Sequence, residues 1–113
     1  MDSAGKQFKL IDGVYIVEHD RFNKWMWTST EFSGVITNVN YVIFGLISNV
    51  KNQLIYEDKM VDINESCLNL VKIDTINKSD FKFKLDKPYE VPKEQRILGV
   101  KIVSINIDGD VIF

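Results

Sequence analysis

At 113 residues, with 45% hydrophobic and 27% charged side chains, the chain has the size and balance of one globular domain, not of a disordered segment. Its net charge of −2 is spread over interspersed lysines and carboxylates, which leaves no basic block for a phosphate backbone and argues against nucleic acid. One cysteine and one histidine exclude an intrachain disulfide and fall short of a zinc ligand set, so no metal and no cofactor are expected.

Residues 1–5 read as a flexible N-terminus and 6–113 as a single domain. Met1 to Lys6 lacks the apolar run of a signal peptide. The longest apolar stretch, Tyr41 to Ile47, is too short to cross a bilayer as a helix, so a cytoplasmic protein without membrane insertion is expected. Alanine occurs once, at Ala4, while Ile, Val, Phe and Tyr abound, and β-branched and aromatic side chains favour strands.

In chain order, strands are expected at Gln7–Ile11 and Val14–Glu18, with Asp12-Gly13 as the turn between them. Lys24–Thr28 and Glu31–Ile36 follow. Val39 to Ile47 is apolar on both faces and reads as a central strand covered on both sides. Gln53–Glu57, Met60–Asn64 and Leu68–Ile73 are weaker strands, and Cys67 among them reads as a small buried hydrophobe. Phe81, Phe83 and Leu85 alternate with Lys82, Lys84 and Asp86, the pattern of a strand with one dry and one wet face. Pro88 and Pro92 bracket a loop or edge segment. Val103, Ile105 and Ile107 share a face while Val100 and Ile102 point the other way, so a bulge or a doubly buried segment is expected there. Asp108-Gly109 is a turn; Asp108-Gly109-Asp110 lacks the remaining ligands of a calcium loop. Short strands at this spacing indicate an all-β sandwich or barrel, of which a two-sheet antiparallel sandwich is expected here.

The chemistry-bearing residues are few. No phosphate loop, nucleophile elbow or HExxH pattern occurs, and no catalytic residue is assigned: the chain is expected not to be an enzyme. Asn64-Glu65-Ser66 and Asn77-Lys78-Ser79 match the glycosylation sequon by chance in an Asn-rich chain. His19, between Glu18 and Asp20, could do acid–base work only with a partner that the sequence does not offer, and reads as an exposed residue at a strand end. Trp25 and Trp27 alternate across Met26, so in a strand both indoles leave the same face. Two such rings form a platform for the apolar face of a sugar. Burying about 100 Å² at roughly 25 cal/mol/Å² gives only a few kcal/mol, hence millimolar binding unless hydrogen bonds add to it. Burial of both indoles in the core is the alternative, and residue type alone favours it.

Two segments carry a resemblance. Gly13-Val14-Tyr15-Ile16-Val17-Glu18, followed by Trp25-Met26-Trp27-Thr28, resembles the G-x-Y-x-x-E … W-x-W-T opening of a β-sandwich accessory domain. That domain accompanies bacterial glycosyltransferases, and some methyltransferases, of surface-polysaccharide synthesis. Arg96-Ile97-Leu98-Gly99-Val100-Lys101-Ile102 is similar to its D-x-R-x-L-G ending, with Glu94 in place of the acidic Asp, and Phe81-Lys82-Phe83-Lys84-Leu85 with Pro88 is similar to its preceding strand and turn. The resemblance implies a jelly-roll-like sandwich that assists polysaccharide biosynthesis without catalysis, by holding glycan or docking a glycosyltransferase. Its candidate carbohydrate contacts are Trp25, Trp27, Glu18, His19 and Arg96. A partly buried Arg96 needs a carboxylate, for which Glu94 and Glu18 are candidates. The rival reading is a protein-interaction or oligomerisation module, in which the apolar tail Val111-Ile112-Phe113 extends a sheet edge for self-association.

Overall fold

The computed structural model describes residues 5–16, 26–87 and 99–113. The all-β class expected from the sequence is what it shows. Among the described residues there are nine strands and no helix: β1 (Gln7–Ile16), β2 (Met26–Thr37), β3 (Tyr41–Ile47), β4 (Asn52–Tyr56), β5 (Lys59–Ile63), β6 (Asn69–Asp74), β7 (Asp80–Leu85), β8 (Lys101–Ile107) and β9 (Asp110–Val111).

All nine join in one antiparallel sheet that curls into a nearly closed barrel. Its logic lies in strands that run the full length of the sheet and bend halfway. β2 is paired on both flanks. β1 takes one flank throughout, while β7 takes the other at 31–35 and β8 takes it at 26–27. β3–β4 and β5–β6 form a second long hairpin with the same register in both halves: Tyr56 opposes Lys59, Asn52 opposes Ile63, Leu46 opposes Asn69 and Tyr41 opposes Asp74. This hairpin bends at 48–51 and 64–68, where Ser48 and Glu65 make an isolated bridge. β7 and β8 fill the space between the two hairpins, β7 against β4 and β8 against β3.

The fold closes on aromatic rings. Phe44 of β3 meets Phe32 edge-on at 6.1 Å and Phe83 edge-on at 5.4 Å, and Phe32 stacks on Phe83 at 4.9 Å. Strand alternation delivers these rings: Phe81, Phe83 and Leu85 are buried while Lys82 and Lys84 are exposed, as the sequence pattern requires. Val42, Phe44 and Leu46 are fully buried, whereas Tyr41, Ile43 and Ile47 on the outer face of β3 are only half-buried. β3 is thus covered fully on one face and partly on the other.

Three local expectations change. Asp12-Gly13 is a bulge inside one continuous β1, not a turn, with register shifts on both sides of Asp12. Gly13 has φ 76°, and a Cβ there would run into the Glu31 carbonyl, so the dipeptide supplies the left-handed residue that a bulge uses as readily as a turn does. Of the strand expected at 24–28, residues 26–28 are described, and they are continuous with the strand expected at 31–36 as one strand, β2. Cys67 is exposed, because it sits at the bend between β5 and β6 and not within a strand. Two expectations hold. The bulge in β8 falls at Val103, where Gly45 opposes Ser104 and Leu46 opposes Ile102, and Asp108-Gly109 forms the β8–β9 turn with φ of 51° and 95°, as a two-residue hairpin of this hand needs.

Candidate functional site

The two ends of the chain that carry the resemblance meet at one corner of the sheet. Thr28 N–H donates to the Val100 carbonyl at 3.0 Å, and Val100 N–H donates to Thr28 Oγ1 at 3.0 Å. Gly99 N–H donates to the Thr28 carbonyl. A Cβ on Gly99 would lie 2.5 Å from Thr28 Oγ1 and 2.6 Å from both Leu85 Cδ1 and the Ser29 carbonyl. Position 99 is therefore glycine because three neighbours already occupy the space of a side chain.

Adjacent to this knot, Met26 packs on the core while Trp27, one residue on, leaves the opposite face. Trp27 is only 4% exposed yet lies outside the main core cluster. Lys101, its cross-strand partner, holds its ammonium 5.5 Å from the indole centroid, a cation–π arrangement. The Trp27 indole is thus buried, on the face opposite the main core cluster. Trp25, Glu18, His19, Glu94 and Arg96 lie outside the described residues.

A concavity lies between the edge strands β5 and β6. It has a volume of about 210 Å³, an apolar lining of Val61, Val71, Ile73 and Phe83, and Tyr56 and Lys78 at its polar end. The Lys78 ammonium donates to Tyr56 Oη at 3.1 Å and to the Glu57 carboxylate. The hydrogen bond from Lys78 lowers the Glu57 pKa, and the same bond raises that of Lys78. Both groups keep their charge over the ordinary pH range, so this cluster presents fixed charge and an engaged phenol, not a poised base.

Among the described residues no three or more His, Cys, Asp or Glu side chains gather as a metal set, and no helix is long and apolar enough to cross a membrane. Comparison of the chain with family models, curated proteins and solved structures finds no match.

Sequence reasoning missed the polar side chains that pin the bends. Asn52, buried in β4, accepts from Lys87 N–H at 3.0 Å and donates to the Lys87 carbonyl at 2.8 Å. Asn69 donates to the carbonyls of Leu46, Asn64 and Cys67 and accepts from Asn64 N–H. The signal was present for Asn52: it shares parity with Leu54 and Tyr56, so an amide stands on a buried face where only a hydrogen-bonding duty keeps it.

Proposed function

We propose that the chain is a non-catalytic, carbohydrate-associated β module that assists bacterial polysaccharide biosynthesis by holding glycan or docking an enzyme. One observation carries the reading: Trp27-Thr28 and Gly99-Val100-Lys101, which belong to the opening and closing motifs of the accessory-domain resemblance, are hydrogen-bonded to one another across the sheet. Motifs far apart in sequence thereby act as one structural unit. The two-layered, jelly-roll-like architecture belongs to the same proposal, supported by the mid-length bends of the two long hairpins and by Phe44 of one half packing among Phe32, Phe81 and Phe83 of the other.

With the Trp27 face covered, sugar stacking falls to Trp25, with Glu18, His19 and Arg96 as polar contacts. Calorimetric titration with bacterial surface-glycan fragments tests this. Binding at millimolar or better affinity that Trp25→Ala abolishes supports glycan holding, and equal binding by the variant removes Trp25 from it. The second reading, a protein-interaction module, draws on exposed apolar side chains along the β5–β6 side, namely Met60, Leu68, Leu70 and Ile76. The C-terminal tail is a weaker support for it. β9 is paired on β8, Ile112 N–H donates to the Ile105 carbonyl at 2.8 Å, and Phe113 packs on the core.

A further inference from the structure

We propose that the free edge of β6 is a homodimer interface, formed by antiparallel pairing of β6 with β6 of a second copy about Ile73. The inference is independent of the glycan reading and uses a different face of the molecule.

Among the described residues β6 pairs only with β3. Thr75 N–H donates to the Asn40 carbonyl at 2.9 Å, which directs the backbone groups of the odd-numbered positions toward β3. Alternation then directs the N–H and C=O of Leu70, Lys72 and Asp74 to the open flank. The side chains of the same three residues are exposed on the outer face, with Leu70 at 66% and Ile76 beyond them at 61%.

Natural edge strands are blunted by charge, bulges or proline. β1, the strand at the opposite margin, carries Lys9 and a double register shift at Asp12. On β6 the outward charges are Lys72 and Asp74, and these do not repel a second copy. Antiparallel pairing about Ile73 sets Lys72 opposite the partner's Asp74, Asp74 opposite the partner's Lys72, and Leu70 beside the partner's Ile76. Leu70, Lys72 and Asp74 have their backbone groups on the open flank, so within β6 the register satisfies hydrogen bonds and side chains together. Moving it by one step in either direction sets Lys72 against Lys72 or Asp74 against Asp74, and like charges directly opposite one another are unfavourable. The strand is therefore self-complementary in one register, as an isologous two-fold interface demands.

Sedimentation equilibrium of the full chain tests this with three variants. Lys72→Asp and Asp74→Lys each convert two attractive pairs into two repulsive ones, and each is expected to weaken dimerisation about tenfold or more. The double exchange Lys72→Asp/Asp74→Lys restores the pairing and is expected to recover the dimer. Both positions are exposed, so the fold is retained, which circular dichroism confirms. Amide exchange supplies the second readout: the N–H groups of residues 70, 72 and 74 gain protection with concentration, while those of 71 and 73 are protected throughout. A wild-type chain that remains monomeric up to about 1 mM overturns the proposal. A dimer indifferent to the single charge changes, or one that the double exchange fails to rescue, overturns it equally.

Discussion

Asp108 stands in the β8–β9 turn and reaches back across the sheet. Its Oδ1 accepts from Asn40 N–H at 2.9 Å and Tyr41 N–H at 3.1 Å, and its Oδ2 meets the Lys6 ammonium at 2.9 Å. Burial by itself would push the carboxyl up. Lys6 and the two backbone donors outweigh that and hold it below the usual carboxylate range. Because the folded pKa is depressed, the carboxylate contributes stability that is complete above the unfolded value of about 4 and is lost as pH falls through the folded one. Asp108→Ala is expected to cost about 1 kcal/mol at neutral pH, since an exposed and a half-buried backbone donor lose a charged acceptor that water replaces in part. Urea denaturation of wild type and variant checks this, and the gap between them is expected to narrow below about pH 4. Gly99 makes a second test at this scale. Gly99→Ala forces a methyl against Thr28 and Leu85, so a loss of about 1–3 kcal/mol is expected by the same assay. Retention of full stability would show that the 28–99 knot yields easily.

The strands were largely legible, because Phe81–Leu85 and Ser104–Ile107 alternate plainly and Asp108-Gly109 is a strong turn signal. How the strands join was not. Asp12-Gly13 has the chemistry of a hairpin turn but serves as a bulge, because the register with β2 continues beyond it to Ile16 opposite Met26. Local sequence does not distinguish a left-handed glycine that ends a strand from one that bends it. The bend in the β3–β4/β5–β6 hairpin was hidden for a related reason: it is held by long-range amide contacts from Asn69 and by the Ser48–Glu65 bridge. Asn69→Ala removes the side-chain bonds of this corner. The expected result is a loss of about 1–3 kcal/mol, with faster amide exchange confined to 64–68. Unchanged exchange there would assign the bend to packing alone.

At the scale of the whole molecule, the core is one apolar cluster with aromatic rings at its centre, shared by strands distant in sequence. Phe44 alone contacts Phe8, Phe32, Phe81 and Phe83. Phe44→Ala is expected to cost about 3–5 kcal/mol and to lower the unfolding midpoint for every probe together, since the halves of the sheet share this ring. Separate transitions for the two hairpins would contradict a shared core. The candidate site was only partly legible for a reason of the same scale. Residue type and spacing nominate Trp25 and Trp27 together, yet what covers an indole is decided by residues distant in sequence, as Lys101 over Trp27 illustrates. The most direct test of the proposed glycan module is an NMR titration of labelled protein with bacterial surface-glycan fragments, following both indole N–H signals. The expected result is a saturable shift at Trp25 with Trp27 still and protected from exchange. An unmoved Trp25 across the whole panel would contradict glycan holding and leave the interaction module as the better account.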